Sequence, residues 1–191
     1  MEKDHLDPIA AHLIGSYLDT GAYSRQFKDD NHDVPPSNMA RVHHHRSLMQ
    51  ARIIHDDAYD LSPSYVDFGR VEFVERQTEE RILLRSATAV AIQKRWDDRG
   101  QGALFGVGSL LKPVDIRVLV YEFDAAGLTL SIAAGAKRAA STRVYVKGEP
   151  IFAGFWPYFD DGGSDDVPFD QGSRDPFGDV GTLEEDEEAG Q

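Results

Sequence analysis

The chain of 191 residues has no cysteine, which excludes disulfides, thiolate metal sites and a cysteine nucleophile. It has no run of 18 apolar residues, so no segment is expected to cross a bilayer as a helix. The opening Met1-Glu2-Lys3-Asp4-His5-Leu6-Asp7-Pro8 lacks a basic stretch leading into an apolar one, and no signal peptide is expected. These absences fit a cytoplasmic protein. Motifs of catalysis are missing too. There is no Gly-Lys-Ser/Thr phosphate loop, no Gly-x-Ser-x-Gly elbow and no His-Glu-x-x-His pair. The chain is therefore read as a non-enzymatic binding protein, with no cofactor.

The charge that is present is unevenly placed. Residues 160–191 hold twelve acidic residues against Arg174 alone, which is −11 of the net −13. Large apolar residues are few there, so burial cannot offset about 1–2 kcal/mol of backbone entropy per residue, and a disordered acidic tail is expected. Residues 1–159 are nearly neutral and long enough for a single hydrophobic core. The domain division is thus 1–159, folded, and 160–191, tail.

Within residues 1–159, Asp7 reads as the N-cap of a first helix, with Pro8 at its start and Gly21 at its end. Ser37 caps a second helix, to about Asp57, with Met39, Val42, Met49 and Ile53 at helical spacing. From Tyr65 the apolar period changes to two. Val66, Phe68, Val71 and Phe73 form a strand with a bulge at Gly69, and Arg81 to about Gln93 a second, longer strand. The glycine-rich stretch from Trp96 to Pro113 reads as a loop. Residues 114–123 and 128–132 form a hairpin across Asp124-Ala125-Ala126-Gly127, and residues 143–147 and 151–159 another across Gly148-Glu149. Helices followed by strands predict an α+β domain: two N-terminal helices packed on an antiparallel sheet of about six strands.

Three constellations bear on function. The first is the tail, where phenylalanine sits among carboxylates. Asp165-Asp166-Val167-Pro168-Phe169 resembles the acidic tip of bacterial single-stranded-DNA-binding proteins, although Phe169 is internal and a second Pro176-Phe177 follows. The resemblance covers five residues. It implies a segment that docks a protein partner and competes with DNA for the protein's own groove. Nothing in residues 1–159 points to that family's barrel.

The second is a pair of basic runs without acids. One carries Arg81, Arg85, Lys94 and Arg95, the other Lys137, Arg138, Arg143 and Lys147. Aromatic residues crowd the end of the domain at Phe152, Phe155, Trp156, Tyr158 and Phe159. Cations that follow phosphates and rings that stack on bases are what a single-strand binder needs. The expected partners are therefore a protein, through the tail, and single-stranded nucleic acid.

The third is a histidine cluster. All seven histidines precede residue 56, and His44, His55, Asp56 and Asp57 are the residues a metal-dependent enzyme would use. On one helix, however, His44 and His55 share a face about 16 Å apart, which one ion cannot span. His45 falls between Val42 and Met49 on the apolar face and reads as a buried core residue. Asp29-Asp30-Asn31-His32-Asp33 starts like a calcium loop but has Val34 and Ala40 where glycine and glutamate are required. A structural or assembly protein of a virus or mobile element is the remaining alternative, with the tail as a solubility bristle.

Overall fold

A computed structural model describes residues 5–61, 71–98, 112–137 and 144–158. Two helices come first: α1 (Asp7–Asp30) and α2 (Asn38–Ile54). A six-stranded sheet follows, in spatial order identical to chain order: β1 (Tyr59–Leu61), β2 (Glu72–Glu75), β3 (Arg81–Ser86), β4 (Lys112–Phe123), β5 (Gly127–Lys137) and β6 (Val144–Pro157). A third helix, α3 (Ala87–Asp98), lies between β3 and β4. The α+β class and the two N-terminal helices on a mostly antiparallel six-stranded sheet are as the sequence predicts. No described helix is long and apolar enough to cross a membrane.

The boundaries need correction in several places. Helix α1 starts one residue after Leu6, and the Asp7 carboxylate does not cap it; it accepts a 2.7 Å hydrogen bond from Trp156 Nε1 instead. Nor does α1 end at Gly21. Ser16, Thr20 and Gly21 are buried on its length, and the Thr20 hydroxyl donates to the Ser16 carbonyl at 2.7 Å. Packing of this small-residue stripe outweighs the helix-breaking tendency of glycine, about 1 kcal/mol. The expected polar loop is thus helical as far as Asp30, and the chain turns at His32 and Asp33, both at positive φ. Helix α2 begins where predicted, with the Ser37 hydroxyl accepting from the Ala40 amide at 3.1 Å.

The largest correction is at Arg81–Gln93. Only Arg81–Ser86 is a strand. The Ser86 hydroxyl then accepts from the Ala89 amide at 3.2 Å, and this capping contact turns the chain into α3. The helical crossover makes β3 and β4 parallel, with Ile82 opposite Arg117 and Ser86 opposite Tyr121, so the sheet is not wholly antiparallel. The second predicted hairpin is a single strand. Residues 148–150 bulge opposite Ala133, with Gly148 at φ 79°, and β6 continues to Pro157. β1 leaves no signal in the sequence, because three residues show no period. The strand placed over residues 65–68, the bulge at Gly69, most of the glycine-rich loop and the tail lie outside the described residues.

The sheet buries both faces. Ile82, Leu84, Leu119, Tyr121, Leu128 and Leu130 pack under Leu6, Ile9, Leu13, Met49 and Ile53 of the α1–α2 layer. On the other face Leu83, Ile116, Val118, Val120, Ala133, Val144 and Val146 pack with Val90 of α3. The run Val118-Leu119-Val120-Tyr121 is apolar without alternation because β4 has a helix layer on each side.

β6 is one edge of the sheet, and α3 closes its first third. The Gln93 side-chain amide donates to the Val146 carbonyl and accepts from the Val146 amide, both at 3.1 Å. It imitates a neighbouring strand, while Pro150 and Pro157 suit an edge that needs no further donors. Gln93→Ala is expected to lower stability by about 1–2 kcal/mol, through removal of two partly buried hydrogen bonds. Urea denaturation at neutral pH measures it; an unchanged midpoint would refute the role of the amide.

Candidate nucleic-acid interface

Members of the two basic runs, far apart in sequence, share the α3 face: Arg81 and Arg85 of the first and Lys137 of the second. Alternation along β3 puts Leu83 in the α3-side core, so Arg81 and Arg85 point the same way. Arg85 Nη2 donates to the Val144 carbonyl at 3.1 Å, across 59 residues, beside the Gln93–Val146 contacts. Lys137 pairs with Val144, and its side chain falls on the α3 face with Ala133 and Gly135. Lys94 and Arg95 are carried by α3 itself. Lys147 pairs with Ala134, which turns its exposed side chain to the other face at the free edge. Arg138 and Arg143 lie outside the described residues.

Not all of this charge is available to a ligand. Arg81 Nη2 is 2.5 Å from Glu72 Oε1, and Glu72 is 1% exposed. The ion pair neutralises a carboxylate that the sheet buries. Two aromatic residues share this face. Phe152 and Phe155 pair with Ser131 and Thr129, which alternate with the helix-facing Leu128, Leu130 and Ile132. Phe152 is 67% exposed. Trp156 and Tyr158 of the predicted cluster serve the opposite layer, and Phe159 lies outside the described residues. The Tyr158 ring stacks on Tyr17 at 5.7 Å, and its hydroxyl donates to the Asp124 carbonyl at 2.7 Å. Trp156 is held by Asp7.

The metal-type residues do not converge. Among the described residues no group of three His, Asp or Glu side chains is placed to hold an ion. His44 stacks on Tyr23 at 4.2 Å, and His55 is the exposed C-cap of α2. The Asp57 carbonyl accepts from Arg76 Nη1, and Arg76 is bidentate to Asp60. Asp56 is engaged by a residue that no sequence motif singles out: His12 Nε2 donates to Asp56 Oδ2 at 2.6 Å and ties α1 to the end of α2. Burial alone would raise the Asp56 carboxyl. The Ala58 amide, the His12 hydrogen bond and the charges of His12 and Arg76 outweigh it and hold Asp56 below the usual carboxylate range. No spacing rule finds a pair 44 residues apart. The tail residues Asp165, Asp166, Val167, Pro168, Phe169, Pro176 and Phe177 lie outside the described residues.

Comparison of the chain with protein-family models, with curated proteins and with solved structures gives no match in any of the three.

His45 is a buried core residue, as its place on α2 predicts, with its ring 6.1 Å from Tyr121 and 6.0 Å from Phe123. Burial pushes its pKa down to about 3, with the Arg46 and His44 charges acting in the same direction and a hydrogen bond to the Leu13 backbone opposing them. The folded chain therefore keeps the ring neutral at pH values where the unfolded chain protonates it. The stabilisation is complete above about pH 6.5 and declines as pH falls toward 3. Between pH 6.5 and 5 the native chain should lose about 2 kcal/mol relative to His45→Met. Denaturation at the two pH values measures this, and parallel losses in both proteins would refute the neutral buried ring.

Proposed function

We propose that the protein is a non-enzymatic, single-stranded nucleic-acid-binding accessory protein, which engages phosphates on its α3 face and regulates that contact through its acidic tail. The observation that carries this reading is the joining of two acid-free basic runs by the Arg85–Val144 and Gln93–Val146 hydrogen bonds. The fold brings Arg85, Lys137 and the helix that bears Lys94 and Arg95 to the side of the sheet on which the exposed Phe152 also lies. Basic groups and a ring on a common face fit a sequence-tolerant strand binder, in which the cations follow the backbone and the ring stacks on a base. The near-neutral total of residues 1–159 leaves affinity dependent on this local patch. A tail of −11 in the same chain is an internal competitor, with an effective concentration on the order of millimolar, and Phe169 and Phe177 mark it as a docking segment for a protein partner.

At low salt the 1–159 chain should bind a labelled oligothymidylate more tightly than the full chain, and equal affinity would remove the competitor role. Lys94→Gln with Arg95→Gln, made in the full chain, should weaken binding. The slope of log K against log salt should become shallower by about 1.4, which is about 0.7 for each of two single-strand phosphates that these cations no longer neutralise. An unchanged slope would place the phosphates elsewhere, and no binding by any of these proteins would overturn the reading.

A further inference from the structure

The α3 face has an exposed corner at the Gly127 end of the sheet. Alternation along β4 puts Glu122 on the same face as Val118 and Val120. Register lines it up with Thr129 of β5 and, beyond that, Phe155 of β6. The neighbouring row runs Arg85, Val120, Ser131 and Phe152. The two rows are about 7 Å apart, two steps at about 3.4 Å per residue. Glu122 is exposed, and Thr129 and Phe155 are half-buried. Phe155 does not stand off the edge of the sheet. A Cβ built at Gly127 would lie 2.9 Å from its Cζ, so the tip of the ring reaches back over a residue of β5 that has no side chain. Glu122 stands one strand across and two steps along from Gly127, which is about 8 Å at about 4.8 Å between strands. Among the described residues no hydrogen bond or ion pair engages its carboxylate.

We infer that Phe155 and Glu122 together select one base of the bound strand, favouring a base with an exocyclic amino group over thymine or uracil. The inference rests on the nucleic-acid reading above, and it adds a preference at one position to a contact otherwise tolerant of sequence. A base stacked on the Phe155 ring turns its edge along the sheet, toward Glu122. An ionised carboxylate offers acceptors only. The N4 amino group of cytosine donates to it, whereas thymine presents the O4 carbonyl at the same place, an acceptor against an anion. Two pyrimidines of one size are thus told apart at a single atom. The same negative charge repels phosphate, so the strand's backbone passes on the Arg85 side of Glu122. Phe152, 67% exposed in the next row, takes the neighbouring base. That row holds Arg85, Val120 and Ser131 and no acid, so stacking there is indifferent to base type.

The test uses the full-length chain, Glu122→Gln and Phe155→Leu, with labelled oligothymidylate and oligodeoxycytidylate of equal length, at neutral pH and low salt. The native chain should bind the cytosine strand about fivefold more tightly, which corresponds to about 1 kcal/mol of discrimination. Glu122→Gln should bring the two affinities within about twofold of each other, because an amide both donates and accepts. Phe155→Leu removes the stacking plane, and it should weaken binding of the cytosine strand and bring the ratio toward one as well. A carboxylate that only repels phosphate behaves differently: its removal tightens both strands and leaves their ratio unchanged. That result overturns the inference and leaves the nucleic-acid reading standing. Equal binding of the two strands by the native chain, or a ratio that survives Phe155→Leu, does the same. Absence of binding to either strand by all three proteins overturns both.

Discussion

The parallel pairing of β3 with β4 is the constraint on which the rest of the architecture depends. Two adjacent parallel strands cannot be joined by a tight turn, so the chain leaves the sheet after Ser86 and returns at Lys112. The helix in that connection covers the face that α1 and α2 leave open, and β4 becomes apolar on both sides. Without α3, Val118, Val120 and Val146 would face water. With it, Gln93 and Arg85 reach the free edge of β6 and hold the last strand against the middle of the molecule. One local choice, a serine that caps a helix where a strand might have continued, sets the layer order and the position of both basic runs.

The two faces that result have different chemistry. The α1–α2 face is mostly closed: aromatic stacking of Tyr17, Phe123 and Tyr158 and the buried His45 fill it, and His12 with Asp56 ties the helices together at its margin. The α3 face carries the cations of β3 and β5 and an exposed phenylalanine on the edge strand. Its arginines also hold the fold together, Arg81 on a buried carboxylate and Arg85 on a backbone carbonyl. An arginine paired with a carboxylate contributes little of its field, so Arg81 carries little of the proposed role.

Much of the fold is legible in the sequence because its signals are local. Ser37 announces α2, Asp124 to Gly127 announce a hairpin, and a β-branched, apolar run marks β4. What is illegible depends on contacts between distant residues. Val90 and Ile92 continue the two-residue period of β3 by coincidence, and only the Ser86 cap and the parallel partner reveal a helix there. Gly21 reads as a stop until its burial along α1 is known. The basic runs are visible as composition, but their juxtaposition is not, because it is made by hydrogen bonds across 53 and 59 residues. For the same reason the sequence favours His44 beside Asp56, whereas the fold supplies His12.

Amide hydrogen exchange of the full-length protein with and without a saturating oligothymidylate, at low salt, tests the central claim most directly. The account predicts added protection in residues 81–98 and 133–147, with α1 and α2 unchanged. Protection confined to residues 7–54, or none at saturation, would contradict it.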